Sequence, residues 1–269
     1  MRTADEMTRL PLPQILFLAG AALLVASMFA YWILFKTEND SSQNYRKMQI
    51  LFGLAVLTAH GVMTRGGRAL LTFAAVCVAV GTAFEAAGVK KGWIFGKYRY
   101  TDRMGPILFG SLPLAIPLMW FVVCYLGGSM AELLVDGLSL PDPAVPSVRA
   151  LAAAGIITLF DAVIDPIAVA EKRWVWEEPG GYHGVPVSNF FGWFATVLLI
   201  FLLLNRFFYP VPARPGIPNW MLHLPAFGYC LFLAFCANVC IERNLKRAGV
   251  IGWMASVLLA AAGLGTMLA

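Results

Sequence analysis

Hydrophobic and polar positions divide the chain into eight apolar runs separated by short polar breaks, roughly 12–35, 48–63, 69–89, 106–127, 148–170, 188–208, 221–241 and 248–268. An α-helix needs about 20 apolar residues to cross the hydrocarbon core of a bilayer. Seven runs meet that length, and the second, at 16 residues, is the shortest. The pattern predicts an all-α, polytopic membrane helix bundle with about eight transmembrane helices, forming a single integral membrane domain over 1–269. The first run is too long for a signal peptide and lacks a cleavage site, so it predicts a retained helix. The preceding MRTADEMTRL reads as a short solvated tail.

Composition agrees. Apolar residues make up 59% of the 269 and charged residues 13%, against about 45–50% and about 25% in soluble domains. The net charge of +5 lies in short loops without a basic stripe, which excludes nucleic acid as a partner and suits the positive-inside rule. Five cysteines (Cys77, Cys124, Cys230, Cys236, Cys240) all fall in apolar runs without CxxC spacing, so they read as small buried hydrophobes. His60, His183 and His223 are too few and too dispersed for the histidine clusters of a di-iron desaturase or hydroxylase. No GxGxxG, P-loop, HExxH or GxSxG occurs, so no cofactor and no metal is expected.

With eight helices, the odd-numbered loops hold 13 Lys and Arg, and the termini with the even loops hold 7. The odd loops are therefore expected in the cytoplasm and both termini outside. Glu85, Asp161, Asp165 and Asn189 then converge on one membrane face. A weak echo links the two halves of that face. One helix carries Glu85 and is followed by Tyr98 and Tyr100; another carries Asp161 and Asp165 and is followed by Trp174, Trp176 and Tyr182. Pro106, Pro113 and Pro117 fall in the fourth run, where interior prolines predict a bent helix able to wall a cavity.

The stretch from Asp161 to Trp193 gathers the most chemistry. Asp161 and Asp165 lie four residues apart, on one helical face and about 6 Å apart along the axis. Asp165 precedes Pro166, which disfavours helical geometry and predicts a loosened helix there. Ionised carboxylates at membrane depth are costly, so such groups are paired, protonated or functional. Two in low dielectric cannot both ionise easily, and a carboxyl that keeps its proton is what general-acid chemistry needs. The plainer alternatives are an interfacial pair neutralised by Lys172 and Arg173, and a Glu85 neutralised by Lys90 or Lys91. Tyr98, Tyr100, Trp174 and Trp176 read either as interfacial belt residues or as the lining of a polyene pocket. Ser188 and Asn189 most simply cap the sixth helix, and Glu177 and Glu178 read as solvated.

These motifs, in this order, resemble the carotenoid biosynthesis membrane protein family. They are Gly96-Lys97-Tyr98-Arg99-Tyr100, the run from Gly105-Pro106 to Trp120, Asp161 with Asp165-Pro166, the Trp174/Trp176 pair, Tyr182 to Pro186, and Asn189 to Trp193. The resemblance spans roughly 80–195, taken as the site-bearing core; His183 departs from it where a second aromatic is the rule. Characterised members are carotenoid hydratases of the bisanhydrobacterioruberin hydratase and γ-carotene 1′-hydroxylase type. The resemblance implies a cofactor-independent hydro-lyase that adds water across the terminal C=C bond of an acyclic carotenoid such as lycopene or γ-carotene. Asp161, Asp165 and Glu85 would be catalytic, and Tyr98, Tyr100, Trp120, Trp174, Trp176, Tyr182, Asn189 and Trp193 would bind substrate. Its partners would be the carotenoid, water, membrane lipids and other carotenoid enzymes, in a prokaryotic cytoplasmic membrane with the site toward the cytoplasm. A non-catalytic carotenoid-binding protein, a transporter, and a prenyl-lipid isomerase or cyclase stay open as alternatives. A transporter would place its charges near the midplane within inverted repeats, and neither is visible here.

Overall fold

The computed structural model describes residues 11–34, 40–108, 110, 112–207 and 211–269; the expected N-terminal tail and Lys36 lie outside them. Two compact units divide at Leu70/Leu71. In the first, α1 (Leu12–Leu34) packs on α2 (Asp40–Thr64). Gly20 meets Val56 and Gly53 meets Leu24, so small residues let the two backbones approach. The second apolar run is part of a 25-residue helix, longer than its hydropathy alone suggests, because its polar N-terminal third is helical too.

α3 (Gly67–Lys91) leads into the second unit, whose further long helices are α4 (Ala115–Asp136), α5 (Val145–Ala170) and α6 (Val187–Phe207). After the single turn α7 (Asn219–Leu222) come α8 (Leu224–Glu242) and α9 (Lys246–Leu268). Six of the described helices (α3, α4, α5, α6, α8 and α9) are long and apolar enough to cross a membrane, and α1 and α2 carry shorter apolar stretches. The protein is an integral membrane helix bundle. The centre of the second unit is α5, which packs on α4, α6, α8 and α9. Ala150, Ala153, Ala154, Ile157 and Val163 on that helix are fully buried, and Gly127 and Gly252 of the neighbouring helices close directly onto Ile157 and Val163. All five cysteines are buried and free.

The loops between α3 and α4 and between α5 and α6 meet as a two-stranded antiparallel ribbon, β1 (Tyr98–Tyr100) with β4 (Trp174–Trp176). Thr101 extends the join, its N–H and hydroxyl both reaching the Arg173 carbonyl. Glu171, at the end of α5, pairs with Arg173 and with Arg243 from the α8–α9 connection, while Arg103 donates to its carbonyl. Three loops are thereby tied together at one end of the bundle.

Three expectations fail here. The fourth run is not one bent helix over 106–127. Pro106 precedes a small hairpin, β2 (Ile107–Leu108) with β3 (Leu112–Pro113), turned by Gly110 at φ 76°. α4 starts only at Ala115, so Pro117 falls in its first turn, where no N–H is needed. Nor does α5 loosen at Asp165; it runs through Pro166 to Ala170. The carbonyl that Pro166 cannot serve, that of Ala162 one turn back, accepts from the Tyr182 hydroxyl at 2.9 Å instead. Finally, Asn189 does not cap α6, because its side chain turns into the bundle.

Candidate functional site

Three acids lie inside the bundle near the ribbon: Glu85 at 4% exposure, Asp161 at 0% and Asp165 at 2%. Among the described residues none of them pairs with a cation. Arg173 is held by Glu171, Lys97 by Glu177, and Lys91 sits over the Trp93 ring. The neutralising partners expected from sequence are therefore engaged elsewhere or do not reach.

Asp161 and Asp165 come together as the helical spacing requires. The Asn189 amide nitrogen donates to Asp161 Oδ2 at 2.8 Å and to Asp165 Oδ2 at 2.7 Å, using both of its hydrogens. The shared amide holds the two carboxyls close together, within reach of each other's charge. Asp161 Oδ1 is buried with no hydrogen-bond partner among the described residues, so the pair keeps one open acceptor. This is a buried carboxyl dyad clamped by one amide.

Glu85 is clamped from the other side. The Tyr98 and Tyr100 hydroxyls both donate to Glu85 Oε2, the second at 2.8 Å. Alternation along β1 makes this possible, since residues two apart face one way. The Trp120 indole N–H lies close enough to act on Glu85 but short of hydrogen-bonding geometry. Glu85 lies near enough for its charge to act on both aspartates, so the three acids form one cluster. Burial, with the Glu85 charge next, pushes the Tyr98 and Tyr100 phenols well above their ordinary range, and both remain donors.

Aromatic rings pack beside Glu85. Trp120 stacks on Trp193 at 4.4 Å between centroids. In the ribbon register Tyr98 opposes Trp176 and Tyr100 opposes Trp174, with centroids 5.7 and 5.9 Å apart. Trp174, Trp176 and Tyr98 are buried, which their reading as interfacial belt residues did not foresee. The two halves of the sequence echo are thus strand partners.

Not every expected residue converges on the acids. The Tyr182 hydroxyl is committed to the Ala162 carbonyl, and burial lifts its phenol to about 12. His183 sits at φ 51° in the following turn, its pKa lowered by burial and by Arg247. Conversely, Phe95 escaped the sequence reading. It is 1% exposed, its carbonyl accepts from Trp176 Nε1 at 3.0 Å, and its ring fills the space left by Gly88 and Gly192. A side chain at either glycine would collide with it, so the spacing of Gly88, Phe95 and Gly192 is the signal that could have found it.

A family model described as "Carotenoid biosynthesis protein" matches residues 45–259. A curated relative, the bisanhydrobacterioruberin hydratase of Haloarcula japonica, is 32% identical over 121 residues. That alignment covers 45% of this chain and 40% of the relative, so the chain aligns with under half of that protein's length. No solved structure matches.

Proposed function

The chain belongs to the carotenoid biosynthesis protein family, and from that premise we propose that it is a carotenoid hydratase. It adds water across the terminal C=C bond of an acyclic carotenoid end group and yields a tertiary alcohol. The observation that carries this reading is the Asp161–Asp165 dyad, buried without a cation and held by Asn189.

The chemistry follows from the groups present. One carboxyl of the dyad gives its proton to the less substituted alkene carbon, and the π electron pair becomes the new C–H bond. The other carbon is left as a tertiary cation. Water adds through its oxygen and loses a proton to the deprotonated aspartate, which restores the acid; where Glu85 takes that proton first, it passes it on to the aspartate before the next turnover. The first step is the hard one, and a desolvated acid favours it. Tyr98, Tyr100, Trp174, Trp176, Trp120 and Trp193 are the rings nearest this cluster, and a ring face turned to the cation is worth about 0.5–2 kcal/mol. Carboxyl acid–base chemistry of this kind needs no cofactor.

Charge supports a cytoplasmic placement of the site. Its end of the second unit carries Lys90, Lys91, Lys97, Arg99, Arg103, Lys172, Arg173, Arg243, Lys246 and Arg247, against Arg149, Arg206 and Arg214 at the other end. Lycopene and γ-carotene are the substrates to try first, in a prokaryotic cytoplasmic membrane.

The test is pigment from a carotenoid-producing host expressing the wild type, Asp161→Asn or Asp165→Asn. The wild type should give product heavier by one water, and each variant about 100-fold less or lower. Full activity in both folded variants would sink the mechanism. A product isomerised or cyclised without added water would replace hydration by rearrangement at the same acid.

A further inference from the structure

α3 presents a second feature on a face next to the acid cluster. Ala79, Ala83 and Ala86 recur at helical spacing and form the floor of an open groove of about 540 Å³. Leu112 of the β2–β3 hairpin and Pro117 of α4 line it from the other side. Only Thr82 and Lys90 contribute polar side chains, and the alanines leave the width that larger residues would fill. The lining from Val78 to Lys90 extends about 18 Å along the helix.

Its position decides what it is for. Thr82 lies one turn before Glu85, and Pro117 one turn before Trp120, the indole that packs on Gly81. Residues three apart are neighbours on a helix surface, so the groove borders the acid cluster along both α3 and α4. It is largely apolar, partly open, and lined mainly by α3, a helix long and apolar enough to cross the membrane. We propose that this groove seats the polyene chain of the substrate, letting it enter sideways from the lipid with its end group at Glu85 and the Asp161–Asp165 dyad. The inference rests on the hydratase reading. A whole carotenoid is longer than the groove, so its far half stays in the bilayer and one end is presented at a time.

The test uses the full-length protein in phosphatidylcholine nanodiscs with lycopene as the probe. Lycopene is achiral, so a visible circular-dichroism band reports its capture in a chiral site. The wild type should saturate, and Ala83→Trp should weaken binding about tenfold or more. Ala86→Leu, a gentler filling that guards against misfolding, should weaken it by about threefold. Leu151→Trp, on the exposed face of α5, should bind as the wild type does. No saturable band in the wild type, with acyl lipid as the sole occupant, overturns the proposal; so does equal binding in both filled variants. If filling abolishes binding but the wild type makes no hydrated product, the groove stands and the hydratase reading falls. If filled variants hydrate at the wild-type rate, the groove is wrong and the hydratase reading stands.

Discussion

The Tyr182 hydroxyl donates to the Ala162 carbonyl at 2.9 Å, the hydrogen bond that Pro166 cannot make. A backbone carbonyl left without a donor at membrane depth is costly, and this contact keeps α5 helical through Asp165. Tyr182→Phe should therefore lower stability by about 1–3 kcal/mol and reduce activity only through that loss. Thermal unfolding in detergent checks the first expectation. A wild-type unfolding midpoint with lost product would instead put the hydroxyl in contact with substrate.

Alkaline stability follows from the same phenol. The folded pKa of Tyr182 is about 12 against an ordinary 10.0, so the folded state holds this proton more tightly than the unfolded chain does. That stabilisation is complete below pH 10 and disappears as pH climbs toward about 12. Tyr98 and Tyr100, also raised, push in the same direction. The unfolding midpoint should fall through this window in the wild type and less steeply in Tyr182→Phe. Parallel curves would count against the assignment.

Much of this was legible in the chain because burial in a bilayer writes itself into hydropathy. Runs of about 20 apolar residues marked the helices, and the scarcity of charge within them made Glu85, Asp161 and Asp165 conspicuous. What hydropathy cannot see is geometry. The segment from Pro106 to Leu114 is as apolar as a helix, yet Pro106, Gly110 and Pro113 make it a hairpin. Asn189 sits where a cap belongs, and its true partners are 24 and 28 residues away. The pairing of Tyr98 with Trp176 joins segments on either side of α4 and α5, beyond the reach of local spacing rules.

The shared acceptor at Glu85 predicts a non-additive pair. Tyr98→Phe and Tyr100→Phe each leave one hydroxyl on Oε2, so each should reduce hydrated product by roughly 3- to 10-fold. The double variant leaves a buried carboxyl with neither donor, and its loss should exceed the product of the two single effects. Product yield per folded protein, read as a double-mutant cycle, decides this. Strict additivity would mean that the hydroxyls act separately.

Asn189 offers the sharpest test of the dyad. Its amide is the donor shared by Asp161 and Asp165 and keeps the two carboxyls in register. Asn189→Leu removes both hydrogen bonds while keeping a side chain of similar size. The two acids then have only each other, and the productive orientation of the proton is lost. Product should fall by about 100-fold or more, the scale of general-acid catalysis. Asn189→Gln retains the amide on a longer stem and should recover part of the activity. A clamp that served folding alone would lower yield and unfolding temperature together, with activity per folded molecule unchanged in both variants. Recovery by Gln of activity per folded molecule, at a similar unfolding temperature, would assign the amide to positioning the acid.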